Sequence, residues 1–183
     1  ILASHSAVEG TMELQDMASL ARELGDPRGL VRALTNQGSV AWPGDPIVAA
    51  RPLEEALELA MAVGCREGVS GIQSALGAHA VNDRRYDEAV AHLRAALDGP
   101  RDDQQLRSVD LGNLAGALLL RGDPDQVVPY VLEALALARV QDLGGTVHTP
   151  LIIGARLLSE REPRTAVTLA AAVRRMLDQG GFS

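Results

Sequence analysis

Apolar side chains recur along the chain at intervals of three, four and seven residues. That spacing places them on one stripe of an α-helix. The clearest case runs from Gly71 to Pro100, where Leu76 and Gly77 sit in a first helix and Asn82 to Arg85 form a turn. Tyr86, Ala89, Leu93, Ala96 and Leu97 then line a second helix. Gly77 and Ala89 are small where the two helices must cross. One such hairpin cannot bury its own stripe, so copies of it are expected to stack.

The same alternation runs the length of the chain. Ser6 to Glu9 has the spacing of a capping box, followed by Met12, Leu14, Met17, Leu20, Ala21 and Leu24 at helical intervals, which predicts a first helix over 7–24. Gly25-Asp26-Pro27 ends that helix and starts the next, because Gly accepts the left-handed C′ position, Asp caps and Pro tolerates the first helical turn. The triplet returns at Gly44-Asp45-Pro46 and Gly122-Asp123-Pro124. Four hairpins are predicted, over about 27–64, 67–98, 102–141 and 144–179, giving nine helices and essentially no strand. Pro52 and Pro129 are each expected to bend a second helix.

Counting tests the repeat. The residues entering each second helix are Pro46, Tyr86, Pro124 and Pro163, separated by 40, 38 and 39. Seven residues beyond them lie Leu53, Leu93, Val131 and Ala170, and three further lie Ala56, Ala96, Ala134 and Val173. Period and internal offsets persist together over four units.

These residues carry a family resemblance. Leu76-Gly77, Tyr86, Ala89, Leu93 and Ala96 fall where the tetratricopeptide repeat has its Leu-Gly pair, turn aromatic, small crossing residue, bulky packing residue and second Ala. The other units match in part: Gly154 and Ala166 fit the last, whereas Ala115 and Val127 replace the small residues of the third. The resemblance implies an all-α fold, an α-α superhelix or right-handed solenoid of helix hairpins. The usual period is about 34 residues, so these units are long. With phrases such as LEEALELA and ALALAR, the long form resembles the helical domains of LuxR-type and maltose-regulator-type bacterial transcription activators and of related signalling ATPases. None of those proteins' ATPase or helix-turn-helix motifs is present.

Composition narrows the chemistry. Aromatics make up 2% of the 183 residues and the net charge is −7, which argues against nucleic-acid or anionic-membrane binding by bulk electrostatics. All 17 basic residues are arginine, so lysine-dependent phosphate loops and Schiff-base chemistry are excluded. Cys65 is the single cysteine, which points to a reducing, cytoplasmic setting. No signal peptide or membrane-spanning apolar run is present, and the opening on Ile1 fits a piece of a larger protein. His79 and His92 share a hairpin but lack a third ligand at useful spacing, so no metal is expected. Cys65, read as ending a helix, has no His or Asp at catalytic spacing. The acid pairs Glu54-Glu55, Asp87-Glu88 and Asp102-Asp103 are read as helix starts answering the helix dipole. Too few aromatics exist to build sugar subsites around a carboxylate pair. No enzymatic activity and no cofactor are expected.

What remains is a binding module for a protein or peptide segment, including other domains of the parent protein, within a bacterial regulator or signalling protein. The alternative is a sensor domain that takes a small effector. Oligomerisation is left open. In tetratricopeptide arrays the first helix of each hairpin lines the concave face. Carried over by register, this implies a groove of Arg32, Thr35, Asn36, Ser39 and Trp42, then Ser74 and Ala78, Asn113 and Gly116, and His148 with Leu158. Asn36 and Asn113 would hydrogen-bond the main chain of an extended segment, with Arg32 and Trp42 supplying charge and stacking.

Overall fold

The computed structural model describes residues 2–40, 46–100, 103–140, 148–159 and 162–179, and these are helical with no strand among them. The helices are α1 (Leu2–Glu23), α2 (Pro27–Val40), α3 (Pro46–Ala62), α4 (Arg66–Asn82) and α5 (Tyr86–Asp98), then α6 (Gln104–Arg121), α7 (Val127–Val140), α8 (His148–Leu158) and α9 (Pro163–Gln179). A short 3₁₀ turn, Pro124–Gln126, leads into α7. The four hairpins therefore fall where the periodicity places them. Pro46, Tyr86 and Pro163 open α3, α5 and α9, and Pro124 opens the turn before α7.

The internal offsets are buried as counted in the first three units. Leu53 and Leu93 are 0% exposed and Val131 is 7% exposed, and Ala56, Ala96 and Ala134 behind them are fully buried. The fourth unit departs: Ala166 is buried but Ala170 is exposed, because among the described residues no helix follows to cover that side of α9. Val173 lies outside the described side chains.

Several expectations are corrected. α1 begins at Leu2, so Ser6 lies within the helix rather than capping it. Among its described side chains Ala18 and Ala21 are buried and Leu14 is half-buried, while Met12, Met17 and Leu20, with Leu24 just beyond the helix, are exposed. Leu106 and Val109 of α6 are also exposed, since the buried stripe of that helix runs through Leu111, Leu114 and Leu118. Pro129 is the third residue of α7, where its missing N–H would have had no helical partner anyway, so no bend is required. Glu54 and Glu55 lie in the middle of α3 rather than at its start, and Arg22 of α1 reaches Glu55 at 2.7 Å. Cys65 precedes α4 as its N-cap residue and makes no side-chain cap.

The connectors share one backbone solution. Gly25, Gly64 and Gly122 all adopt positive φ, the left-handed conformation that ends a helix and turns the chain into the next. Asp26 then caps α2 by accepting from Gly29 N at 2.9 Å, and Asp103 caps α6 by accepting from Gln105 N and Leu106 N. Asp123 does not cap; Arg121 Nε donates to its carboxylate at 2.5 Å instead. In the α4–α5 turn Arg84 takes the left-handed position with φ 60°. An L side chain there carries a steric cost that Gly avoids. Arg84→Gly is therefore expected to stabilise the protein by roughly 0.5–1 kcal/mol, read as a higher urea midpoint; a lower midpoint would show that Arg84 makes a stabilising contact.

Two buried clusters form the core. Val31, Leu34, Leu53, Ala56, Ile72 and Leu76 join α2, α3 and α4, and Ala89, Val90, Leu93, Leu114, Leu118, Val127 and Ile153 join the later helices. Successive helices pack on one another throughout. Beyond that, α2 packs on α4, α4 on α6 and α6 on α8, while the odd-numbered helices do not pair at this level among the described residues. The even-numbered helices thus make one contiguous layer, which we call the inner layer.

Candidate functional site

The inner layer is built from small and polar side chains. Ser74 of α4 donates to the carboxylate of Asp110 on α6, and Asp110 is fully buried. Ser108, also buried, donates to Ala134 O of α7 at 3.3 Å. Arg107 ties the same region outward: its guanidinium meets Glu133 at 2.8 Å and Leu97 O at 3.2 Å. Polar side chains therefore join α6 to both helices of the preceding hairpin, through Ser74 and Leu97 O, and to its own partner α7.

The residues expected to line the groove fall on this layer. Arg32, Thr35, Asn36 and Ser39 lie on α2, Ser74 on α4 and Asn113 on α6, while His148 is the first residue of α8. Trp42 lies outside the described residues. Arg32, Asn36 and Ser39 are exposed; Thr35, Ser74 and Asn113 are half-buried. Their hydrogen bonding separates them. Thr35 donates to Val31 O at 2.7 Å and Ser39 to Thr35 O at 2.9 Å, so those hydroxyls serve their own helix. Ser74 serves Asp110. Among the described residues the amides of Asn36 and Asn113 and the guanidinium of Arg32 have no such partner, which leaves them able to engage a ligand.

Asp110 was not anticipated, although one signal marks it. It stands 38 residues after Ile72, which itself stands 39 after Ala33, and both of those are buried. A carboxylate in an otherwise apolar register is legible as a designed polar contact.

The outer side of the second hairpin gathers a second group. His92 Nδ1 lies 2.6 Å from Gln73 Oε1, so the ring donates through Nδ1 to the amide oxygen. Burial lowers the pKa of His92, outweighing the attraction of Glu88, and burial likewise lowers that of His79 against the pull of Asp83. The fold thus prefers both rings neutral, whereas the unfolded chain protonates them near the ordinary histidine value of about 6.5. Stability is fully present above that pH and falls as pH drops below it, because unfolding then takes up protons. Melting temperature should therefore decrease between pH 7.5 and 5.5, and His92→Gln should shallow that slope. A slope unchanged in the variant would assign the effect to other groups.

No group of three or more His, Cys, Asp or Glu side chains among the described residues is placed to hold one metal ion. No helix among them is long and apolar enough to cross a membrane. The fold and site define an all-α protein of consecutively packed helix pairs with a polar inner layer. No protein-family model matches the chain, and no curated protein matches it significantly in sequence.

Proposed function

We propose that the chain is a tetratricopeptide-type scaffold, a right-handed superhelix whose even-numbered helices line a concave groove for an extended peptide or protein segment. One observation carries the reading. The even-numbered helices pack side by side along the array while the odd-numbered ones do not pack on one another among the described residues, a pattern that supports a curved array with the first-helix layer on its concave side. Arg32, Asn36 and Asn113 present uncommitted polar groups on those helices. Amide side chains offer a donor and an acceptor together, which suits main-chain recognition, and arginine is among the residue types that dominate interfaces. The length of the repeat and its Ala/Leu/Arg-rich helices favour the regulatory region of a bacterial transcriptional regulator or signalling protein as the setting.

The test begins with peptides selected from a displayed random library on the intact chain. Asn36→Ala/Asn113→Ala should weaken the selected peptides about tenfold or more, since each lost hydrogen bond is worth about 0.5–1.5 kcal/mol. Wild-type affinity in a folded double variant would move the binding surface off this layer.

A further inference from the structure

α1 packs on α2 and α9 packs on α8, and both helices leave a second face exposed among the described residues. On α1, Met17 and Leu20 share an arc of about 120° with Glu13, Asp16 and Glu23, at 100° per residue. All five are exposed, Leu20 by 54%. On α9, Val167 and Ala170 share an arc of about 140° with Arg164, Arg174 and Arg175. These five are exposed as well, Val167 by 69%.

The two faces are opposite in charge. Arg22 is the one base among the described side chains of α1, and it is turned to Glu55 of α3 at 2.7 Å. No acid occurs among the described side chains of α9. Glu13, Asp16, Glu23, Arg164 and Arg174 have no ion pair among the described residues, and Arg175 bonds only its own helix, at Ala171 O. A basic face on a chain of net charge −7 is drawn toward further copies of that chain.

The faces also match in spacing. Glu13 and Glu23 are ten residues apart, as are Arg164 and Arg174, which is about 15 Å of helix in each case. With the helices antiparallel and Glu13 level with Arg174, Glu23 comes level with Arg164. Met17 then comes level with Ala170 and Leu20 with Val167, so the larger α1 side chains meet smaller ones on α9. We infer that α9 of one chain docks antiparallel on α1 of a second copy, joining chains head to tail. Apolar burial between Met17, Leu20, Val167 and Ala170 supplies the attraction, and the flanking charges set partner and direction. The contact is heterologous, so it builds a ring or an open chain rather than a pair sharing one patch. It uses none of the inner layer and does not depend on the peptide groove.

Analytical ultracentrifugation of the intact chain from about 1 µM to 1 mM provides the test, the range expected of one helix-on-helix contact below about 1,200 Å². The weight-average mass should rise with concentration to at least twice the 19.3 kDa of one chain. Glu13→Arg and Arg174→Glu should each weaken self-association at least tenfold, and because both positions are exposed both variants should unfold as wild type does. Mixed in equal amounts, the two variants should regain the lost association, because α9 of the first meets α1 of the second with native charges. Asn36→Ala/Asn113→Ala should associate as wild type. A contact of α1 with α1, or of α9 with α9, would instead leave one of the two single variants unaltered. A monomer at every concentration, unaltered association in either single variant, or no recovery in the mixture would each overturn the proposal, the first by leaving both faces to a different occupant.

Discussion

Leu93→Ala is expected to destabilise the protein by about 2–5 kcal/mol, the range for removing a buried leucine side chain and leaving a cavity. Leu93 is fully buried at the crossing of α4 and α5, surrounded by Ala80, Ala89, Leu114 and Leu118 of the same cluster. Gly77 lies beneath it so closely that an added Cβ would stand 2.5 Å from Leu93 Cγ and 3.3 Å from its backbone nitrogen. The glycine is there to admit the leucine. Because the backbone is fixed on both sides, the site cannot collapse to fill the vacancy. Urea denaturation reads the loss directly. Leu132→Ala, on the exposed side of α7, should stay within about 0.5 kcal/mol of wild type. A loss below about 1 kcal/mol for Leu93→Ala would place the residue at the surface and break the repeat register.

Ser74→Ala is the second large effect, although the deletion is a single hydroxyl. Ser74 is only half-buried, but its acceptor Asp110 is fully buried. Hydrogen bonds to charged groups contribute about 1.5–3 kcal/mol, more than neutral pairs. For a chain of this size that corresponds to a fall of roughly 3–12 °C in melting temperature. Ser39→Ala, the same hydroxyl deletion at an exposed position where the donor serves its own helix, should move the midpoint far less. Equal effects for the two would mean that the Ser74–Asp110 contact does not couple α4 to α6.

The hairpins were legible because their punctuation is local. Pro46, Tyr86, Pro124 and Pro163 mark helix entries by their own backbone preferences, and the offsets to Leu53, Leu93 and Val131 follow from helical geometry alone. Coverage was harder to read, because it depends on how many neighbours a helix has. The stripe of Met17, Leu20 and Leu24 is as apolar as that of α3, yet it is exposed since among the described residues α2 alone packs on α1. The same reason exposes Ala170 on α9. Asp103 and Asp123 show the limit for caps: both precede a helical turn, but the neighbouring Arg121 captures the carboxylate of Asp123. Arg32, Asn36 and Asn113 fall on α2 and α6, the helices the register assigns them to, whereas the use of Ser74 as a strut to Asp110 depends on a contact 36 residues away.

The central claim is that the even-numbered helices form the binding surface. A benzophenone side chain introduced at Ser39 of α2 or at Ala78 of α4, and separately at exposed Met61 of α3 or Leu132 of α7, can be irradiated with a library-selected peptide bound. Covalent capture of the peptide from Ser39 and Ala78, with little from Met61 and Leu132, is the predicted result. Capture from Met61 and Leu132 alone would contradict it and put the working surface on the outer layer.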